Sequence, residues 1–300
     1  MVDNDKIEQK TKDAIIDQQK SIADNSGKKQ KKHIIPVGNI DTYPEDENAH
    51  IVGSNTFVDG VVFDDSFEYV IHNPVKRFFM TLLWFTGIAL LSIVDTFVFG
   101  FYIKGKKHVA KVIKDKKGAI TVSNHCVGID CVMACQANWP KMSYLPTLHT
   151  TFQLPYVRHI VHWLNAFPIP NTTSGTIKFV KEVDELLQNK KFVHFFPEAS
   201  LWPWYDRIRK FKPGAFSFAC RNNVPVIAQV VLFRPRKLTK FLKRPKISIE
   251  ILEPFYPNPD LKGHAQVNEL MQRVHDAMEK KMIENNMKYY GVKSTKAHLD

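Results

Sequence analysis

The stretch ITVSNHCVGIDCVMA, Ile120–Ala134, changes its pattern at one point. Its first residues form an apolar run with β-branched side chains, which predicts a buried strand. Asn124 and His125 follow directly, Gly128 allows a tight turn, and Asp130 stands where a helix is expected to begin. The stretch therefore predicts a strand, a turn and a helix. His125 is placed at the carboxyl end of the strand, where open α/β sheets hold their sites.

From about residue 108 on, segments that predict strands alternate with segments that predict helices. The predicted strands are 119–124, 142–147, 191–196, 224–233 and 246–255, and the predicted helices are 108–117, 128–137, 154–164, 176–190, 215–223 and 267–287. The last helix carries an apolar stripe rich in Met, from Val267 to Met287, which we expect to be a packing face. Alternating strands and helices predict an α/β domain with a mainly parallel sheet flanked by helices.

Three segments precede this domain, which we place at residues 108–300. Residues 1–33 are polar, with eight Lys and six acidic residues, and are expected to form a disordered tail. Residues 34–75 hold eight acidic residues and no Lys or Arg, which predicts an acidic N-terminal extension. We expect the extension to be either a small β appendage or an irregular wrap on the core. Residues 76–107 form a hydrophobic segment, predicted to be a membrane-anchoring helix or hairpin.

The hydrophobic segment contains 17 residues without a charge, Phe78 to Val94. As a helix they would measure roughly 26 Å, against a bilayer hydrocarbon core of about 30 Å. Both flanks are basic, whereas a single span usually has Lys and Arg biased to one side. The pattern favours a monotopic anchor, and a true span or a buried core helix remain alternatives.

Charge and cysteine content restrict the partners. Residues 76–300 hold 34 Lys and Arg against 16 acidic residues, a net charge of +18, which favours anionic lipid or an acidic carrier. The chain shows no helix-turn-helix or zinc module, so we expect no nucleic-acid partner.

The four Cys have no disulfide or zinc spacing, and no nucleotide-binding glycine loop is present, so no bound cofactor or metal is expected. Residues 1–20 contain no secretory signal, and we expect a location at the cytoplasmic face of the membrane.

His125 and Asp130 are a candidate catalytic pair. A carboxylate at the start of the helix can orient the imidazole and stabilise its cation after proton uptake. One such spacing arises easily by chance among twelve His. The alternative is a structural His beside an ordinary Asp at a helix N-terminus.

Further segments follow in a fixed order. They are FVHFFPEASLW with Glu198, FKPGAFSFA with Lys212 and Gly214, and NNVPVIAQVV with Pro225. With NHCVGID, this set resembles the glycerolipid acyltransferase family of the lysophosphatidate acyltransferase type, whose first motif is N-H-x4-D and whose third begins F-P-E. The resemblance covers about residues 78–255.

Two family positions depart from the pattern. The Arg that usually closes the second motif is replaced by Pro170 or Asn171, and the Gly-Thr-Arg of the third motif is Ala199-Ser200-Leu201. In the family those arginines are thought to hold the phosphate of the acceptor, and Asn or Leu cannot replace the bidentate contact of Arg. A nearby basic run, with Arg207, Arg209, Lys210 and Lys212, either supplies the cations that hold the phosphate or is a solvated loop that touches anionic headgroups.

The resemblance implies a membrane-associated O-acyltransferase that moves a fatty-acyl group from acyl-CoA or acyl carrier protein to a hydroxyl of a lysophosphatidate-like lipid. His125 would act as general base and Asp130 would orient it. The expected substrate-binding residues are Asn124, Glu198, Ser200, Arg207, Arg209, Lys210, Lys212 and Gly214. The alternatives are a non-catalytic membrane-binding relative and a hydrolase of the thioesterase or lipase type that uses water or Cys126.

Overall fold

The computed structural model describes residues 43–44, 46–49, 51, 62–152, 157–236 and 245–290 of the 300-residue chain. Its helices are α1 (Pro74–Phe99), α2 (Lys106–Lys114), α3 (Asp130–Ala137), α4 (His149–Phe152), α5 (Val157–Trp163), α6 (Thr173–Gln188), α7 (Gly214–Asn222) and α8 (Gly263–Tyr290). Its strands are β1 (Tyr102–Lys104), β2 (Ala119–Ser123), β3 (Ser143–Thr147), β4 (Ala166–Pro168), β5 (Phe192–Phe195), β6 (Val226–Arg234) and β7 (Lys246–Ile251). The tail expected over residues 1–33 lies outside the described residues.

The strands of the described residues form one seven-stranded sheet in the order β1-β7-β6-β2-β5-β3-β4. Every neighbouring pair is parallel except β6 and β7, which are antiparallel. The prediction of a mainly parallel α/β sheet with flanking helices is confirmed. The sequence reading missed β1 and β4, because a strand of three residues is too short to show an alternating pattern.

Strand β2 lies inside the sheet, between β5 and β6, and all five of its residues are buried. It is parallel to both neighbours, and Val122 pairs with Phe195. The carboxyl ends of β2 and β5 therefore meet at one edge of the sheet. This register brings the loop after Ser123 next to the loop that contains Glu198.

Helix α8 covers β6 with an apolar stripe of its buried residues. They are Val267, Leu270, Val274, Met278 and Met282. Met287, expected in the same stripe, is instead 49% exposed. The Met-rich stripe is thus a packing face along most of its length, as the sequence indicates.

The described part of the acidic extension includes residues 62–73, which run over α6 without forming a helix or strand. Tyr69 is buried and its hydroxyl donates to the Phe63 carbonyl oxygen at 2.8 Å. A Cβ at Gly175 of α6 would lie 2.1 Å from that same oxygen, so only glycine permits this close approach. These residues follow the irregular wrap that was one of the two alternatives, and the predicted domain boundaries stay a prediction.

Helix α1 has 26 residues, about 39 Å of helix, and continues past Asp95. Its buried residues Met80, Trp84, Ile88 and Asp95 lie toward the domain. Only 17% of the most apolar 18-residue stretch of α1 is buried, whereas the helix of a protein core would be mostly buried. By length and composition, α1 is the helix of the described residues that could cross a membrane.

Candidate active site

His125 and Asp130 form a hydrogen-bonded pair at the carboxyl edge of the sheet. His125 Nδ1 lies 2.8 Å from Asp130 Oδ2, and the Asp130 side chain is wholly buried. The same carboxylate oxygen accepts the backbone N–H groups of Cys126 and Val127 at 3.0 and 3.1 Å. The Asp130 oxygen is the hydrogen-bond acceptor in this contact, so the ring proton of His125 is assigned to Nδ1. This tautomer leaves Nε2 with the free electron pair that a general base needs.

The loop after β5 holds His125 in place from both sides. Glu198 Oε2 accepts the backbone N–H of His125 at 3.3 Å, and the Trp202 N–H donates to the His125 carbonyl oxygen at 3.0 Å. The Phe196 ring stacks on the imidazole with 4.0 Å between centroids. The imidazole therefore has a fixed backbone and one covered face, while its side chain keeps 23% of its surface exposed.

His125 lines a cavity of about 440 Å³ between the sheet edge and the start of α7. The cavity wall is mostly apolar and includes Phe179, Phe195 and Phe218. Among the described lining residues, Lys212 is the one Lys or Arg. This volume and lining suit a fatty chain with one anionic group near its polar end.

A second cavity, of about 490 Å³, lies between α1 and the start of β1. Its lining includes Ile88, Tyr102 and Lys106 but neither His125 nor Asp130. The smaller cavity is the candidate active site, because it is the one that His125 lines.

Arg209, Glu198 and Ser200 form a buried cluster, of which Ser200 lines the cavity while Arg209 and Glu198 lie behind its wall. Arg209 Nη2 lies 2.9 Å from Glu198 Oε2, and Nη1 donates to Ser200 Oγ at 2.8 Å. The Arg209 side chain is 0% exposed and is not among the lining residues. This placement differs from the sequence expectation of a cation that faces the acceptor, because burial and the pairing with Glu198 direct the guanidinium inward.

The other expected binding residues are distributed around the cluster. The side chain of Asn124 joins β2 to β6, accepting from the Val231 N–H at 2.8 Å and donating to its carbonyl oxygen. Arg207 and Lys210 are exposed, while Lys212, Ser200 and Gly214 line the cavity. The structure thus brings Lys212 and Gly214 to His125, and gives Asn124 a structural contact.

Burial changes the acidity of two groups beside the pair. It raises the pKa of the Glu198 carboxyl, and the Arg209 guanidinium opposes that rise. It also raises the pKa of the Cys126 thiol, with Asp130 and Glu198 adding to the effect. A thiol held protonated is a poor nucleophile, so this position disfavours a covalent route through Cys126.

His194, which the sequence reading did not single out, lies beneath the pair in β5. Its Nδ1 contacts Thr121 Oγ1 at 2.9 Å and its Nε2 contacts Ser123 Oγ at 3.2 Å. Both hydroxyls lie on the neighbouring strand β2, and His194 is buried. A polar residue inside the apolar run FVHF was the available signal.

We expect His194 to weaken the fold in acid. Burial, with a smaller contribution from His125, lowers the pKa of His194 to about 3. The unfolded chain takes up this proton near pH 6.5, so stability falls below that pH by about 1.4 kcal/mol per unit. Urea unfolding at pH 7 and pH 5 should show about 2 kcal/mol less acid loss in His194→Gln than in the wild type. An equal loss in both proteins would contradict the prediction; His264→Gln, at an exposed position, is the control.

Residues 101–231 match the family model described as Acyltransferase, a range that includes His125, Asp130 and Glu198. No curated protein matches the chain. Among solved structures, the chain is similar to the 1-acyl-sn-glycerophosphate (LPA) acyltransferase PlsC from Thermotoga maritima. The identity is 16%, the match covers 71% of this chain and 85% of that chain, and the TM-score is 0.49.

Proposed function

We propose that this protein is a membrane-associated O-acyltransferase that acts on a lysophosphatidate-like lipid, on the premise that residues 101–231 match the family model described as Acyltransferase. The donor is an acyl thioester, either acyl-CoA or acyl carrier protein. The observation that carries the proposal is the 2.8 Å contact between His125 Nδ1 and Asp130 Oδ2 at the wall of an apolar cavity. In this proposal a single general base, the Nε2 of His125, accounts for the activity.

In the proposed reaction, Nε2 of His125 takes the proton of the acceptor hydroxyl as its oxygen attacks the thioester carbonyl carbon. Asp130 accepts the Nδ1–H and stabilises the imidazolium. The C–S bond then breaks while the new C–O ester bond remains. The imidazolium returns its proton to the departing thiolate, which leaves as a thiol, so His125 ends the cycle neutral.

The exposed apolar side of α1 supports attachment to a bilayer. Phe78, Leu90 and Phe97 are 67%, 65% and 78% exposed, and water is a poor solvent for that surface. The basic residues of the domain add attraction to anionic lipid of about 1 kcal/mol each near the membrane. We place the domain at the cytoplasmic face, where acyl-CoA and acyl carrier protein would reach it.

The composition of the cavity wall supports an acceptor with one fatty chain and one anionic group. The apolar lining matches the chain, and we assign the anion to Lys212 of the lining, whose Nζ donates to Asn48 Oδ1 at 2.5 Å in this structure. Burial and the neighbouring Lys210 lower the pKa of Lys212, and an arriving phosphate would favour its charged form. A single Lys takes the place of the family arginines that the sequence lacks.

The function is tested by following thioester consumption with lysophosphatidate and with the uncharged monoacylglycerol of the same chain. We expect consumption that depends on acceptor and yields the diacyl product. Lys212→Met should raise the KM for lysophosphatidate about 10- to 100-fold, the value of a charge-assisted hydrogen bond. The KM for monoacylglycerol and for the donor should change little.

Two results would contradict these expectations. Free fatty acid formed at the same rate with and without acceptor would identify a hydrolase. An equal KM rise for the charged and the uncharged acceptor would remove Lys212 from the anion site.

A further inference from the structure

The peptide that carries His125 is attached to the loop after β5 at three points. Two are the contacts of Glu198 and Trp202 with the His125 backbone described above. The third is a hydrogen bond from the Trp204 N–H to the Cys126 carbonyl oxygen at 2.7 Å. The position of the imidazole therefore depends on the conformation of residues 198–204.

Arg209 holds that loop from within. Its backbone N–H donates to Glu198 Oε1 at 3.0 Å, and Nη2 contacts both Glu198 Oε2 and the Ser200 carbonyl oxygen. The guanidinium carbon lies 4.5 Å from the ring centroid of Trp202. Arg209 thus contacts both residues that hold the His125 backbone, Glu198 and Trp202.

The N-terminal extension closes the same cluster from outside. The Glu47 carbonyl oxygen accepts from Arg209 Nη1 at 3.2 Å, although the two residues are 162 positions apart. The Ala49 carbonyl oxygen accepts from Trp202 Nε1 at 2.8 Å and from Ser200 Oγ at 3.2 Å. This segment precedes the range that matches the family model.

We propose that Arg209 is a positioning residue for His125, acting through Glu198 and the Trp202 peptide rather than on the phosphate of the acceptor. The proposal rests on the proposed function. Its guanidinium is fully buried and absent from the cavity wall, so a phosphate in the cavity meets Lys212 and not Arg209. Loss of Arg209 frees the loop, and the imidazole then samples orientations in which Nε2 misses the acceptor hydroxyl.

The test compares Arg209→Lys and Arg209→Met with the wild type in full-length protein. We expect kcat to fall at least about tenfold, as a misplaced base implies, with donor and acceptor KM unchanged. Lys should retain more activity than Met, because its ammonium keeps one contact with Glu198. The control is Arg273→Met, which removes another Arg–Glu pair, at 2.9 Å on α8, and should leave kcat unchanged.

A double-mutant cycle with Glu198→Gln shows whether Arg209 acts through Glu198. The kcat loss of the double variant should not exceed that of the more impaired single variant. Should Arg209→Met fail to fold, Arg209→Lys decides the question. A raised acceptor KM at constant kcat, or fully additive losses in the cycle, would overturn the proposal.

The Nδ1–H resonance of His125 in ¹⁵N-histidine-labelled protein separates this proposal from the proposed function. It should shift or broaden in Arg209→Lys and stay unchanged in Arg273→Met. A wild type that transfers no acyl group would remove the proposed function, and the resonance would still report the positioning role. An unchanged resonance in Arg209→Lys would overturn that role whatever the activity.

Discussion

Replacement of His125 by Ala should lower kcat for acyl transfer by about 10²- to 10⁴-fold, the usual contribution of a general base. The acceptor hydroxyl would then lose its proton only to water, which the apolar cavity largely excludes. The substitution leaves Lys212 and the cavity wall in place, so acceptor and donor KM should change little. The measurement is steady-state consumption of an acyl thioester with lysophosphatidate, with product ester quantified.

His264→Ala is the matched control, because His264 is exposed at the start of α8. It should retain the activity of the wild type. If His125→Ala kept full turnover, the base would be another group and the mechanism proposed above would be wrong.

Three carboxylates on the exposed side of α1 should release the protein from membranes. The changes are Leu90→Asp, Val94→Asp and Phe97→Asp, at positions 65%, 50% and 78% exposed. Each Asp costs roughly 2.5–3.5 kcal/mol at the centre of a bilayer, so even two at that depth shift the partition by more than about a thousandfold. Sedimentation with anionic vesicles should move the protein from the pellet to the supernatant.

The control places the same number of carboxylates on exposed positions of α8. The changes are Ala265→Asp, Asn268→Asp and Gln272→Asp. This variant should still pellet. Continued pelleting of the α1 variant would show that the basic surface or α8, rather than the apolar helix, holds the protein to lipid.

The hydrogen-bonded pair of His125 and Asp130 was predictable because its geometry is local. Five positions separate His125 from Asp130, and a strand, a tight turn and a helix start are each visible in sequence over such a distance. The mainly parallel sheet with flanking helices followed from the alternation of strands and helices, whereas the order of its strands was not predicted. Local pattern and global topology agree in this part of the chain.

The buried placement of Arg209 was not predictable, because a residue as far away in sequence as Glu47 packs on the loop that holds its other partners. A basic residue in a polar loop looks the same in sequence whether it faces solvent or a buried carboxylate. The pairing with Glu198 and the packing of residues 46–49 on the loop determine which it is. His194 was missed for a related reason, since its hydroxyl partners stand on another strand, 73 and 71 positions away.

Helix α1 is fixed to the domain at both its middle and its end. Trp84 stacks on Trp139 with 6.1 Å between centroids, Asp95 accepts from Gln136 of α3 at 2.6 Å, and Arg236 donates to the Val98 carbonyl oxygen at 2.6 Å. Helix α3 begins with Asp130 itself. These contacts restrict rotation of the domain about α1. With α1 in lipid, the His125 imidazole would therefore lie at a fixed height above the bilayer. The acceptor hydroxyl would have to extend from the bilayer to that height. The length of the acceptor headgroup would therefore discriminate between acceptors before any side chain contacts them.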